Sequence, residues 1–342
     1  MNNFTSIKLC CLAMLLFIFT GAGATILRVN NTLATDKTKN IFASLQEAHD
    51  AAAGTGTDTL LVEGSTTEYA LLNCTKKLVI IGPGYFLLQN GGQANALSAT
   101  VQSINFKAGS EGSTIIGLTF STLNSSYAPY VYVNGIAILR CSMTNGIGIF
   151  GNITSLVILQ NYMPGGIGLA NSAISFSGVI LKNNLIGSIS ISTTVSVPRI
   201  FATVEHNIFT SGVTLSTNTF QSNIITYQFA GVNITSNIIQ YNLDATNKTV
   251  SISSTNQLVQ SNQLFIGLTA ANNSPDGQYQ FVTNSAYNKA GLNGEQPGIF
   301  GGSEPYVLSG IPPIPTIYQL QSDAVANKQD GLNVTIKARA NQ

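Results

Sequence analysis

The residues whose chemistry is easiest to imagine in this chain are Glu205 and His206, adjacent in sequence, with Lys182 and Arg140 upstream. A carboxylate, an imidazole and an ammonium group could move a proton off a substrate carbon or onto a leaving oxygen. Hydrolysis of a glycosidic bond needs an acid paired with a base or nucleophile a few ångströms away. Calcium-assisted elimination needs several oxygen ligands and a basic residue. Against these requirements the chain is poor. Glu205 is the sole acidic residue between Glu111 and Asp244, and there is no Asp-Asp pair or Asp-x-Asp cluster. Glu205, His206 and Lys182 are therefore weak catalytic candidates, and the sequence predicts neither a cofactor nor a metal site.

The element that must position these residues is a repeated phrase, apolar-x-apolar-x-x-Asn-x-apolar. It is clearest at Leu156/Ile158/Asn161/Met163, Val179/Leu181/Asn184/Ile186, Ala202/Val204/Asn207/Phe209 and Val232/Ile234/Asn237/Ile239. Val259/Asn262/Leu264 is a weaker copy, and Ile136/Ile138/Cys141/Met143 carries Cys at the marker place. Period-two alternation of Ile and Val predicts strands. A spacing of about 20 to 25 residues predicts stacked coils that bury their apolar faces on one another. The marker side chains Cys141, Asn161, Asn184, Asn207, Asn237 and Asn262 are read as a structural ladder, each amide satisfying backbone groups at a turn and stacking on the next. Asn223 falls off the period and is read as a chance match or a distorted coil.

This register makes two further statements. The third and fifth residues before each marker point inward, the second and fourth outward. Lys182 and Glu205 then meet across adjacent coils as a surface ion pair worth about 0 to 1 kcal/mol. Arg140 and His206 lie about three coils apart, roughly 15 Å, too far for shared chemistry. Ala137, Leu139, Val157, Leu159 and Ile180 form an outward apolar patch, for which internal cover is expected, by the C-terminal segment around Ile311 to Tyr318 or by a loop, with a partner as the alternative. Tyr69, Tyr85, Tyr127, Tyr130 and Tyr132 are read mainly as packing residues, with a sugar-stacking surface as the alternative.

Composition narrows the partners. Only 8% of residues are charged and the formal net charge is +1, so no basic face is available for nucleic acid. Lys8, the apolar run Leu9 to Thr20 and the small residues Ala22-Gly23-Ala24 predict a signal peptide over residues 1–24, cleaved near Ala24. The predicted location is secreted or cell-surface, with no membrane span in the mature chain. The mature cysteines, Cys74 and Cys141, are expected to be buried free thiols, with a disulfide as the alternative.

The helical spacing of Phe42 to Ala52 ahead of the strand Asp58 to Gly64 predicts an N-terminal cap. Ile311-Pro312-Pro313-Ile314-Pro315 cannot lie inside a sheet, and two strands, Thr316 to Gln321 and Leu332 to Ala338, predict a terminal hairpin. Residues 25–302 are thus assigned to the capped coil stack and 303–342 to a Pro-rich tail. The whole pattern, over roughly residues 40 to 300, resembles the right-handed parallel β-helix of the pectin-lyase-like superfamily, in particular its secreted bacterial members. The resemblance implies an all-β solenoid with a short helical cap and a hairpin tail. It also implies two classes of function, because that fold carries both. One is a non-catalytic scaffold binding extracellular polysaccharide or a surface protein. The other is a polysaccharide lyase or glycoside hydrolase with an atypical site.

Overall fold

A computed structural model describes residues 24–121, 123, 126–192, 196–226, 232–245, 255–260, 263–268, 274–323 and 331–341. Residues 1–23 of the inferred signal segment and Asn262 lie outside the described residues, as does the side chain of Asn237. The chain forms a parallel β-solenoid of about nine turns. Each regular coil contributes three short strands. In one coil these are Ile136–Leu139, Ser142–Met143 and Ile147–Ile149, and each pairs in parallel with its counterpart in the next coil, Leu156–Leu159, Tyr162–Met163 and Ile167–Leu169. The stack thus has a first, a second and a third face. The inward register holds at Leu156, Ile158, Val179, Leu181 and Val204, which are fully buried, whereas Ala137, Val157, Ile180 and Thr203 are only half-buried. It fails at Ala202, half-buried because a bulge puts Phe201 in the inward place.

The short gap between Asn207 and Asn223 has a structural cause. Up to Asn207 a loop separates the third-face strand Ile189–Ser190 from the next first-face strand, Arg199–Glu205. In the following coil that loop is gone. Val213–Gln221 runs as one strand, pairing with Ile189–Ser190 at its start and Arg199–Glu205 at its end. The coil shortens to 16 residues and the marker stays in line. Asn223 is therefore a true marker on a shortened coil, which decides between its two readings against the chance match. The next places belong to Asn242 and Asn256. Asn237 lies within the strand Val232–Gln240, ahead of the corner.

The cap is shorter than its spacing suggested. The helix α1, Leu45–Ala51, starts only after Ser44, whose hydroxyl accepts from Glu47 N. Lys76 Nζ closes its other end by donating to the carbonyls of His49, Asp50 and Ala52 at 2.7–2.9 Å. Among the described residues the last solenoid strand is Gln257–Leu258. Residues 274–311 turn back along the stack as a strap. The strands Thr316–Ser322 and Val334–Arg339 then close the chain as an antiparallel hairpin.

The strap covers an apolar surface that the register argument missed. The outward residues of the second face, one place after the marker, run Tyr162, Leu185, Ile208, Ile224, Leu243. Ile299, Tyr306, Phe300 and Leu308 of the strap pack on them and form a second hydrophobic core. This internal cover lies on another face than the patch expected at Ala137 to Ile180, and comes from an earlier segment than Ile311 to Tyr318.

Candidate functional site

The ladder is a chain of buried amides. Asn184 Oδ1 accepts from Asn161 N and Nδ2, both at 2.9 Å, and Asn184 Nδ2 donates to Ile158 O and to Asn207 Oδ1. The same pattern continues through Asn207, Asn223, Asn242 and Asn256. At its head Cys141 N donates to Asn161 Oδ1, and burial pushes the Cys141 thiol up to about 12. Cys74 and Cys141 are buried free thiols. These residues hold corners and present no group to solvent.

The residue before each marker makes the corner possible. Arg140, Gln160, Asn183, His206, Ser222 and Tyr241 all have positive φ, between 50° and 59°. Only Asn183 and His206 belong to types enriched in this left-handed conformation. The strap engages the row directly. Arg140 Nη1 donates to Ile311 O, Gln160 Nε2 to Glu304 O and Pro305 O, and Asn183 Nδ2 to Ile299 O and Gly301 O. Leu292 N and Gly298 N donate to Ser222.

This geometry separates the three catalytic candidates. Lys182 Nζ lies 3.0 Å from Glu205 Oε2, as the register required, and Gln221 Nε2 donates to Glu205 Oε1 at 2.8 Å. His206 instead turns under the strap, against Gly301 and Gly302, with Nε2 3.5 Å from Glu295 Oε2. Burial holds its imidazole below the usual range, a pull opposed by Glu295 and Glu205. Glu205 is already engaged by a lysine and an amide, and His206 is covered. Among the described residues no three His, Cys, Asp or Glu side chains converge as a metal site would require.

A second polar cluster had no signal in the sequence. Buried Asp276 accepts from Ser309 N at 2.7 Å, from Tyr306 OH at 3.2 Å, from Asn90 Nδ2 at 3.2 Å and from the Ser274 hydroxyl. Tyr306 and Tyr85 share a hydrogen bond of 2.5 Å, and burial raises both phenols well above their ordinary range. The cluster ties residues 85–90 to the strap and is closed to solvent.

An open site lies on the outer third face. Its outward row reads Asn73, Asn105, Tyr130, Gly148, Gly168. The two glycines leave the sheet surface bare, and aromatic rings occupy it. A Cβ on Gly148 would meet Tyr130 and Phe150 at 2.8–2.9 Å, and one on Gly168 would meet the Tyr127 ring at 1.9 Å. Tyr130 and Phe150 pack edge to face, 4.7 Å between centroids. Beside Tyr127 a groove of about 430 Å³ is lined by Gly168, Asn171, Ser188, Ser190 and Arg199, with no Asp or Glu in its wall. Arg199 staples the rim, Nε donating to Ile174 O and Nη2 to Ser172 O. The five tyrosines thus divide. Tyr69 and Tyr85 are core residues, while Tyr127, Tyr130 and Tyr132 share the outer face. Gly148 and Gly168, at the same offset after Cys141 and Asn161, were the available signal for this site.

Comparison with family models, curated proteins and solved structures returns no match.

Proposed function

We propose that the protein is an exported, non-catalytic β-solenoid that binds a polysaccharide along its third face. The observation that carries this reading is the groove at Tyr127. It offers an aromatic ring seated over a glycine, with hydroxyls, an amide and a guanidinium along the rim, and no acidic residue in the lining. Sugars present apolar CH faces and hydroxyls, which aromatic rings and such polar groups complement. Cleavage needs a free acid and base, and Glu205 and His206 are engaged elsewhere.

The test is binding of the chain from Thr25 onward to an array of extracellular glycans. Tyr127→Ala should weaken every captured glycan about tenfold, the loss of one well-placed stacking contact. Gly168→Val, which displaces the ring, should do the same. Retention of glycan by both variants at wild-type affinity would remove the site.

A further inference from the structure

Asp58 is 1% exposed, and among the described residues its two carboxylate oxygens accept from neutral donors, Thr25 N at 3.1 Å and Ala53 N at 2.6 Å. No cation lies within ion-pair distance of it among the described residues. A buried carboxylate without a counter-charge is costly. Thr25 also engages the solenoid through its carbonyl, which accepts from Thr59 N at 2.9 Å. Ala24 and Thr25 are exposed, and Ala22-Gly23-Ala24 meets the small-residue requirement of a signal peptidase.

We infer that Asp58 is the receptor for the processed N-terminus, and that processing cuts the Ala24–Thr25 bond. This rests on the export reading above. Hydrolysis adds water across that amide. The hydroxyl goes to the Ala24 carbonyl to give a carboxylic acid, the hydrogen goes to Thr25 N, and the new amine takes up a solvent proton. One neutral N–H beside Asp58 then becomes an ammonium group with three donors and the missing positive charge. Cleavage one residue to either side would displace that charge from the carboxylate. The precursor would carry Asp58 unpaired, and the mature chain would lock its first strand by an ion pair made at export.

The test is made on the exported chain. Its N-terminal residue is identified by mass spectrometry, and its α-amine is then acylated with an amine-reactive ester at neutral pH. A chain beginning at Thr25, labelled about tenfold more slowly than Asp58→Asn, supports the inference, since pairing that raises an amine by one pKa unit lowers its free fraction tenfold. If Asp58→Asn does not accumulate, acylated and free wild type are compared, and acylation should lower the thermal midpoint by about 2 °C or more. An N-terminus left at Met1 would remove the export reading along with the inference. An N-terminus elsewhere would leave export standing and overturn the inference. A Thr25 amine labelled equally fast in both proteins, or acylated without thermal cost, would overturn it too.

Discussion

At the scale of single residues, the ladder amides do the most for the fold. Removing one leaves backbone N–H and C=O groups buried without partners, at about 1 to 3 kcal/mol each. Asn184→Ala should therefore cost about 2 to 4 kcal/mol in denaturant unfolding. Asn223→Ala should cost as much, because Asn223 Oδ1 accepts from Asn207 N and its Nδ2 donates to Val204 O, both at 2.9 Å. A chance surface asparagine would cost almost nothing. His206 gives a pH signature. Its folded pKa is depressed, chiefly by burial. The unfolded chain then takes up a proton near the ordinary value of 6.5 while the folded chain does not, so stability should fall as pH drops below about 6.5. The loss should level off below the folded pKa. His206→Asn, which suits the left-handed corner, should flatten that decline. Cys74 and Cys141, raised by burial to about 11 and 12, should resist thiol reagents in the native protein and react once it is denatured.

At the scale of elements, the alternation of Val and Ile made the first-face strands legible, and the Lys182–Glu205 pair followed from counting places back from Asn184 and Asn207. The sequence failed where spacing and register part company. Losing the loop between the third-face and first-face parts of Val213–Gln221 shortened a coil without shifting the hydrogen-bond register, so Asn223 looked accidental while Asn237 looked regular. The strap was illegible for another reason. Residues 274–311 have no period of their own, and their contacts follow from the left-handed corners of Arg140, Gln160 and Asn183, of which only Asn183 is a type that advertises positive φ. Asp276 anchors that strap to residues 85–90. Asp276→Ala should release it, at a cost of about 3 kcal/mol or more for breaking a buried charged network. Amide exchange should then rise across residues 274–311 and around Tyr85, while the Asn161 to Asn223 ladder stays protected.

At the scale of the whole molecule, the solenoid is built from inward-facing apolar rows, capped by α1 and clasped along its second face. A chain ending after residue 260 would expose Leu185, Ile208, Ile224 and Leu243, each of which gains about 1.5 to 3 kcal/mol from burial. That chain should associate in size-exclusion chromatography with light scattering, whereas the full chain should not. The third face stays open and carries the proposed function. Its aromatic residues were read mainly as packing because the sequence does not say which tyrosines face outward; Gly148 and Gly168, beneath the rings, decide it. The most direct test of the account is a reducing-end assay on every polysaccharide that the chain from Thr25 onward retains. The account predicts saturable binding that Tyr127→Ala weakens, with no new reducing ends over prolonged incubation. Release of reducing ends, lost in Glu205→Gln or His206→Asn, would contradict it and return the chemistry to Glu205, His206 and Lys182.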